Sequence, residues 1–186
     1  MTDDSRLLLD YARRGDVKSF SALVARHSNW LTAYLRGVTP TLEDAEDAVQ
    51  EIWARVIHSC GSYRGGSVRA YLIRIARSVA VDRFRRAGRP AISVDDIGAG
   101  GTTLAESLPD DSPAPDAAFE SRATAEDVRR AVKGLPENQR EVLLMRIEAE
   151  LSFREIAETM GIPLGTALTW MHAATLRLKK ELGKWK

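Results

Sequence analysis

The chain has 186 residues, of which 44% are hydrophobic and 28% are charged, and this composition is typical of a globular protein. It contains no run of about 18 apolar residues, which excludes a membrane-spanning helix and direct membrane insertion, and its acidic N-terminus lacks the layout of a signal peptide. A single cysteine, Cys60, excludes an internal disulfide and fits a reducing, cytoplasmic location.

Charge is unevenly distributed along the chain, although the formal net charge is only +1. Residues 1–90 carry 15 basic and 10 acidic side chains, and residues 122–186 carry 12 basic and nine acidic ones. Residues 91–121 carry seven acidic side chains and no basic one. Because the basic residues are concentrated at the two ends, the near-neutral total does not exclude nucleic-acid binding.

Four amphipathic helices are predicted in the first ninety residues. Their expected ranges are 4–14, 17–36, 42–58 and 68–86. Apolar residues recur at helical spacing along the second of them, and His27 on that apolar face is interpreted as a packed histidine. Because four such helices can bury their apolar faces in one core, residues 1–90 are predicted to form one helical domain.

The third predicted helix has an acidic face beside an apolar one. The acidic face consists of Glu43, Asp44, Glu46, Asp47, Gln50 and Glu51. Neighbouring carboxylates on a helix diverge in direction, and no Asp/Asn-rich loop follows them, so the pattern favours a solvated or partner-facing surface over a metal site. The three histidines are also too far apart in sequence for metal-ligand spacing, and no metal is expected.

The loop 59–67 and the helix after it are candidates for nucleic-acid binding. The loop contains three glycines together with Tyr63 and Arg64, a composition that can fit around an unstacked base. The helix carries a polar and basic face, formed by Arg74, Arg77, Ser78 and Arg85. Arginines neutralise phosphates and pair with bases. A basic helix face that is simply solvated remains the alternative.

Residues 91–121 differ in character from the rest of the chain. Gly, Pro, Ser and Asp dominate there, and apolar periodicity is lost. A segment of this length without periodicity is predicted to be a linker, either a flexible tether or a functional connection. The expected fold class is therefore all-α, with two small helical domains joined by a long acidic linker.

The second domain, residues 122–186, contains a helix-turn-helix pattern. Ser152 and Glu155 form the capping box that starts one short helix, and Gly161-Ile162-Pro163 ends it. A second amphipathic helix then starts near Gly165. In a helix-turn-helix the second helix enters the DNA major groove, although paired helices around a glycine turn also occur as plain packing units.

No catalytic constellation is visible anywhere in the sequence. The phosphate-binding GxxxxGK[ST], the zinc-binding HExxH and the nucleophile elbow are all absent. The chain is therefore not expected to be an enzyme, and neither a cofactor nor a small-molecule substrate is expected.

Three of these segments together resemble the bacterial extracytoplasmic-function (ECF) sigma factors of the sigma-70 family. The segment DAEDAVQEIWARV (44–56) resembles their polymerase-binding helix, and AYLIRIARSVAVDRFRR (70–86) resembles the helix that meets the −10 promoter element. The segment LPENQREVLLMRIEAELSFREIAETMGIPLGT (135–166) is similar to their −35-binding domain. The order and spacing of the three segments make the resemblance specific.

The resemblance implies a factor that binds core RNA polymerase, directs it to a −35/−10 promoter and helps to melt the DNA. Contacts with the polymerase, at the β′ coiled coil, are expected from Asp44, Asp47, Val49, Gln50, Glu51 and Trp53. Contacts with the −10 element are expected from Tyr63, Arg64, Arg74, Arg77, Ser78 and Arg85. Contacts with the −35 element are expected from Arg154, Thr166, Leu168, Thr169, Trp170 and His172.

The family resemblance also implies two further protein contacts. One is the β flap of the polymerase, and the other is an anti-sigma factor, commonly membrane-anchored, that covers the polymerase-binding faces. The linker 91–121 would thread through the polymerase toward the RNA-exit path.

Two departures from the family pattern concern the DNA-binding helices. Tyr71 and Ser78 stand where the family usually has Trp and Asn. Four customary basic positions of the recognition helix hold Leu168, Trp170, Ala173 and Thr175. The four missing basic residues favour an alternative hypothesis, in which the chain is a sigma-like module that binds an anti-sigma factor or polymerase without reading a promoter. The basic −10 helix and the acidic, polymerase-binding helix argue against that alternative. Trp170 lies off the centre of the apolar face of its helix, and partial exposure is predicted for it.

Overall fold

The computed structural model describes residues 2–86 and 124–183. Over these two ranges the chain forms α-helices and one 3-10 turn, Cys60–Ser62, with no strand. The helices are α1 (Asp3–Arg14), α2 (Val17–Val38), α3 (Leu42–Ser59), α4 (Val68–Arg86), α5 (Ala125–Lys133), α6 (Glu137–Ile147), α7 (Phe153–Met160) and α8 (Leu164–Gly183). The all-α expectation is confirmed. The predicted acidic linker, residues 91–121, lies outside the described residues, so the proposed domain limits stay predictions.

Local capping explains why several helices begin and end where the sequence predicts. The Thr124 hydroxyl accepts from the backbone N–H of Asp127 at the start of α5, and Asp127 accepts from the N–H of Thr124 in return. Ser152 and Glu155 form the same reciprocal pair at the start of α7. Gly161 ends α7 with φ of 68°, a left-handed conformation that glycine adopts without a steric penalty.

The first bundle, α1–α4, is built around apolar faces that the sequence pattern identifies. Leu31 and Leu35 of α2, Ile52 of α3 and Ile73 of α4 are fully buried. His27 is buried in the same bundle, as its place on the apolar face of α2 predicts. Cys60, also buried, lies in the 3-10 turn that follows α3.

The second bundle, α5–α8, surrounds α6. Val142 and Met145 of α6 are fully buried, as are Ile156 of α7 and Ala167 of α8. The helices α7 and α8 are joined by the turn that starts at Gly161, which gives the predicted helix-turn-helix.

The two bundles pack against each other, and a single cluster of buried apolar side chains extends from Leu8 in α1 to Ala167 in α8. Helix α6 lies against α2, and α7 lies against α4. The contact between α2 and α6 is close at Gly37, since a Cβ atom added there would overlap the side chain of Leu144. This packing also buries polar side chains of both bundles, and each buried polar side chain needs a hydrogen-bond partner.

None of the helices described is both long and apolar enough to cross a membrane.

Candidate nucleic-acid interface

An open pocket of about 690 Å³ lies on the first bundle, between the end of α3, the loop that follows the 3-10 turn and the outer face of α4. Its lining residues are Arg55, His58, Ser59, Ser62, Tyr63, Arg64, Gly65, Tyr71, Arg74, Ile75 and Ser78. Four of the six residues expected at the −10 element, Tyr63, Arg64, Arg74 and Ser78, are therefore brought together in one concave surface. Arg77 and Arg85 are not among the lining residues.

Tyr63 fixes the loop rather than projecting from it. Its side chain is buried, and its hydroxyl donates to the carbonyl of Gly66 at 2.7 Å and lies 2.8 Å from Oγ of Ser5. Its ring packs on Tyr71, with ring centroids 5.2 Å apart. Gly65 and Gly66 turn the loop with φ of 106° and 100°, values that favour glycine. The aromatic pair thus forms a rigid wall of the pocket.

Tyr71 closes the floor of the pocket at the base of α4. Its hydroxyl lies 2.7 Å from Oγ of Ser59, and burial raises the pKa of Tyr71. The hydroxyl therefore stays protonated and available for hydrogen bonding at neutral pH. Tyr71, which stands where the family usually has Trp, is thus held by the ring of Tyr63 and by the hydroxyl of Ser59.

Basic side chains surround the mouth of this pocket. Arg64 is exposed and its Nη1 donates to the carbonyl of Gly61 at 2.7 Å, and Arg74 is exposed on α4. Ser78 is exposed and accepts a hydrogen bond from Nη1 of Arg55 at 3.0 Å. Guanidinium groups placed around a partly aromatic cavity can hold the phosphates that flank a base while the base enters.

Arg55 is a pocket residue that sequence reasoning missed. Its Nη2 donates to Glu51 at 2.8 Å and to Asp82 at 2.7 Å, and this hydrogen bond from Arg55 lowers the pKa of the Asp82 carboxyl. The i, i+4 spacing of Glu51 and Arg55 is a sequence signal for their pairing. That spacing does not predict that Arg55 also contacts Ser78 and Asp82 on α4.

Arg77 points away from the pocket and toward the second bundle. Its Nε donates to Oε1 of Glu141 at 2.7 Å, and its Nη1 donates to the carbonyl of Thr159 at 2.7 Å. The Tyr34 hydroxyl approaches the same Glu141 oxygen at 3.4 Å. Arg77 therefore joins α4 to α6 and α7, a contact that the sequence did not predict.

Glu141 is a buried acid at the boundary of the bundles. Burial raises the pKa of Glu141, while the charge of Arg77 and its hydrogen bond oppose that shift. Burial likewise raises the pKa of Tyr34 well above its ordinary value. A buried carboxylate is tolerated when it is paired with a cation and hydrogen-bonded. Arg77 provides the cation, and both Arg77 and Tyr34 donate hydrogen bonds to Glu141.

Of the residues expected to meet the polymerase, Asp44, Asp47, Gln50 and Glu51 lie on one side of α3, and Val49 and Trp53 lie on the other. Asp47 and Gln50 are exposed, while Asp44, Val49 and Glu51 are half-buried. Arg83 of α4 lies 3.5 Å from Asp47 and 3.6 Å from Glu51. The acidic face is thus accessible, and arginines of the neighbouring helix partly balance its charge.

Trp53, the sixth of these residues, is buried. Its Nε1 donates to Oγ of Ser28 at 3.2 Å, and its ring meets the edge of Phe20 with centroids 5.7 Å apart. Trp53 therefore anchors α3 to α2 and supports the acidic face from beneath.

The helix-turn-helix places its candidate residues on a surface of mixed exposure. Arg154, Thr169 and His172 are exposed, and Thr166, Leu168 and Trp170 are half-buried. The Thr169 hydroxyl donates to the carbonyl of Gly165 in its own helix at 2.8 Å. Trp170 packs against the buried cluster, so the partial exposure that its position predicts is observed.

Comparisons with known proteins agree with this architecture. The chain matches the family profile described as "Sigma-70 region 2" over residues 23–90 and that described as "Sigma-70, region 4" over residues 125–178. The ECF RNA polymerase sigma-E factor of Escherichia coli K12 is 30% identical over 164 residues, which cover 87% of this chain and 85% of the relative. The chain belongs to the ECF sigma factors.

Two further relatives of this ECF sigma factor have a similar sequence identity to it. SigW of Bacillus subtilis is 27% identical over 173 residues, covering 91% of this chain and 92% of the relative. SigE of Mycolicibacterium smegmatis is 29% identical over 169 residues, covering 89% of this chain and 62% of that longer relative.

Solved structures with the same fold include two complexes. CnrH in complex with the cytosolic domain of CnrY has a TM-score of 0.70 at 22% identity, covering 99% of this chain and 100% of that one. The sigma factor RpoE of Bartonella quintana, in complex with the anti-sigma factor NepR, has a TM-score of 0.67 at 23% identity, covering 90% and 98%. At these identities the likeness is one of fold.

The function of the chain is that of an RNA polymerase sigma factor, and sigma factors are transcription regulators rather than enzymes. The region 2 match spans the pocket and the acidic face of α3, and the region 4 match spans the helix-turn-helix. Within residues 2–86 and 124–183, no group of three His, Cys, Asp or Glu side chains is placed to hold a metal ion.

Proposed function

We propose that this ECF sigma factor captures an unpaired base of the −10 element in the pocket between the loop 59–67 and α4. The observation that carries the proposal is the pocket itself, since its volume of about 690 Å³ lies within the range of small-ligand sites, roughly 300–1,000 Å³. The buried rings of Tyr63 and Tyr71 support the pocket from behind, and its rim offers guanidinium groups for the phosphates that adjoin a captured base.

Each of the pocket residues takes a distinct part in this proposal. Arg64 and Arg74, both exposed, bind phosphates on either side of the captured base. Ser78 offers a hydroxyl that Arg55 already orients. Tyr63 and Tyr71 hold the wall, and Arg85, exposed further along α4, meets the DNA backbone beyond the pocket.

The acidic face of α3 is proposed as the contact with the β′ coiled coil of core polymerase. Asp47 and Gln50 are accessible there, and exposed carboxylates suit a basic partner surface. Asp44 and Glu51 extend the same face, Val49 offers a half-buried apolar edge on the other side of the helix, and Trp53 keeps the helix in place from its buried side. The second bundle is proposed to meet the β flap.

Readout of the −35 element is proposed for α8 with help from α7. Exposed Thr169 and His172 can hydrogen-bond to base edges, and Thr166 lies one turn earlier on α8. Leu168 can contact thymine methyl groups, and Arg154 can bind a phosphate. Trp170 contributes by its partly exposed edge. Since few basic side chains lie on this surface, we expect weak salt dependence for the −35 contact.

An anti-sigma factor is a proposed partner, in the cytoplasm where the polymerase works. The Bartonella quintana relative in fold is a complex of a sigma factor with an anti-sigma factor. In this chain the two bundles are packed together, and Arg77, an expected −10 contact, is paired with Glu141. A partner that bound this packed form would keep Arg77 from DNA. A membrane-anchored partner would hold the sigma factor at the membrane.

A second candidate function is a sigma-like module that binds its protein partners without reading a promoter. One observation favours it, because the positions of α8 where the family is usually basic hold Leu168, Trp170, Ala173 and Thr175. Such a module would keep the acidic face of α3 and lose sequence-specific DNA binding.

Transcription from a selected promoter separates the two functions. Holoenzyme reconstituted from core polymerase and this chain should enrich a −35/−10 sequence from a random library. Arg74→Ala should then reduce open-complex formation at least about tenfold, since a hydrogen bond to a charged group such as a phosphate is worth about 1.5–3 kcal/mol. Arg13→Ala, a change of an exposed arginine in the last turn of α1, is the matched control. Failure to enrich any promoter, with tight binding to core polymerase, would favour the second function.

A further inference from the structure

A second pocket, of about 400 Å³, lies where the two bundles meet. It is bounded by the last turn of α2, the first residues of α3 and one side of α5. Its lining residues are Arg36, Thr41, Leu42, Glu126, Arg129, Arg130 and Lys133. The first three come from the first bundle and the other four from the second, so neither bundle forms this pocket alone.

Four of these seven side chains are basic and only one is acidic. Glu126, Arg129, Arg130 and Lys133 are spaced at i, i+3, i+4 and i+7, which places them on one face of α5. Arg36 faces them from α2. Helix α3 also begins here, at its N-cap Thr41, and its first-turn acids Glu43 and Asp44 offset the partial positive charge of the helix N-terminus.

The basic groups around this pocket retain capacity to bind an anion. Lys133 donates to the carbonyl of Pro40 at 3.2 Å, a neutral acceptor that holds the ammonium group in place without balancing its charge. Of the four cations, Arg130 alone lies within ion-pair distance of a described carboxylate, that of Asp127 at 3.6 Å. Arg36 and Arg129 are exposed and present their guanidinium forks to solvent.

We propose that this pocket binds an anion with two or more linked phosphoryl groups. Each of the two arginine forks can take a pair of phosphoryl oxygens and the ammonium can take a further one, and linked phosphoryl groups offer separated oxygens to all three. Leu42, exposed to 45%, provides an apolar wall for a heterocycle if the ligand carries one. The shared chemistry is therefore that of a polyphosphate, either inorganic or attached to a nucleoside.

Such a ligand stabilises the packed arrangement of the bundles. Because Arg36 and Arg129 line the pocket from different bundles, a ligand that contacts both binds only while the bundles are together. By linkage, a higher ligand concentration therefore stabilises the packed state relative to any state in which the bundles separate. The consequence that the ligand then opposes promoter binding rests on the proposed function. The binding site itself does not depend on that function.

Calorimetric titration of the full chain with inorganic tripolyphosphate, at fixed ionic strength and without DNA or polymerase, tests the site. Arg129→Glu with Lys133→Glu should weaken binding at least about tenfold, because two charge-assisted contacts become repulsive. Arg36→Glu, on α2 and so in the other bundle, should weaken it similarly. Arg177→Glu with Lys179→Glu, which reverses two exposed charges on α8 outside the pocket, should change binding less than about twofold.

Every outcome of the titration bears on the site. Equal affinity of the wild type and of the α5 and α2 variants would overturn the proposal, as would absence of binding. Sulfate binding as tight as tripolyphosphate binding would also overturn it, since it would indicate general charge attraction. Displacement of tripolyphosphate by a short DNA duplex, together with weaker binding of that duplex to the α5 and α2 variants than to the wild type, would reassign the surface to DNA phosphates and overturn it too.

Titration with a nucleoside triphosphate identifies the kind of ligand. Tighter binding of a nucleoside triphosphate than of tripolyphosphate would support the site and identify a nucleotide as its ligand, whereas equal affinity would support it with an inorganic one. Circular dichroism checks the fold of each variant. If the α5 double variant does not fold, Arg36→Glu alone decides, because it lies in a different bundle.

Discussion

Arg77 and Glu141 form a hydrogen-bonded ion pair between the two bundles, with Nε of Arg77 2.7 Å from Oε1 of Glu141. The carboxylate is buried, and the arginine side chain is 25% exposed. An arginine held in this way is not available to a DNA phosphate. Any contact of Arg77 with the −10 element therefore requires that α4 and α6 separate.

The first prediction is that Arg77→Ala destabilises the protein. The substitution leaves a buried carboxylate without its cation, and loss of one partner of a buried pair costs about 3–5 kcal/mol. Because the arginine side chain is 25% exposed, solvent screening reduces the expected loss to about 2 kcal/mol. The free energy of unfolding from urea titration measures it.

Arg74→Ala is the matched control for Arg77→Ala. Arg74 lies one turn earlier on α4 and is exposed at the pocket rim. Its removal should change the free energy of unfolding by less than about 0.5 kcal/mol. Equal destabilisation by the two changes would contradict the assignment of Arg77 to the contact between bundles.

The second prediction is that Gly37→Ala loosens the contact between α2 and α6. A methyl group at Gly37 would overlap the side chain of Leu144, which is itself buried and has little room to move. Overpacking of this kind typically costs about 1–3 kcal/mol. Thermal unfolding should show the loss as a lower melting temperature, although alanine is the better helix former.

A double-mutant cycle identifies the cause of that loss. Leu144→Ala removes the overlapping atoms, so the double variant should be more stable than the sum of the two single changes predicts. Gly61→Ala is the control, because nothing lies within 4 Å of a Cβ atom added at Gly61. Additive effects of Gly37→Ala and Leu144→Ala would contradict a direct contact.

The sequence predicts the helices well because their signals are local. The capping box of Ser152 and Glu155 lies within four residues of chain, and the left-handed turn at Gly161 depends on glycine alone. The structure also brings Arg64 and Arg74 together in one pocket, because they lie on adjoining elements of one segment, and their contact with DNA stays a prediction.

The contacts between bundles had no comparable signal in the sequence. Arg77 and Glu141 are 64 positions apart, and an amphipathic pattern identifies an apolar face without naming the helix that covers it. The burial of Tyr63 was equally hidden, because its hydrogen-bond partner Ser5 is 58 positions away. An aromatic residue in a glycine-rich loop is as suitable for supporting a pocket as for contacting a ligand.

The third prediction concerns the pH dependence of stability through His27. Burial lowers the pKa of His27 from its ordinary value of 6.5, against the opposing charge of Asp4, whose Oδ2 lies 3.2 Å from Nε2. The unfolded chain therefore binds the proton more readily than the folded chain. The stabilisation is complete above the unfolded pKa of 6.5 and is lost as the pH falls below it.

His27→Gln should accordingly show a smaller loss of stability between pH 7.5 and pH 5.5, two values that bracket the ordinary histidine pKa of about 6.5. Glu141, whose pKa is raised, contributes with the opposite sign, and this contribution cancels when the two proteins are compared. His172→Gln, a change of an exposed histidine, should leave the pH dependence of the wild type intact. An unchanged pH dependence in His27→Gln would contradict the prediction.

The fourth prediction is that Trp170 supports the recognition helix more than it serves DNA. It is half-buried and packs against the shared apolar cluster, so Trp170→Arg, which introduces a residue of the family's usual type, should not simply restore a DNA contact. Loss of a fully buried tryptophan costs about 3–5 kcal/mol. For this partly exposed side chain we expect about 1–3 kcal/mol, measured by urea unfolding.

Thr169→Arg separates added charge from lost packing. Thr169 is exposed, and its hydroxyl donates to the carbonyl of Gly165 in its own helix, so this variant should keep the wild-type stability to within about 0.5 kcal/mol. It adds one phosphate-binding group to α8 and should therefore steepen the salt dependence of DNA binding. If Trp170→Arg were as stable as Thr169→Arg, Trp170 would be a surface residue free to contact DNA or a protein partner, and its packing against the cluster would contribute little.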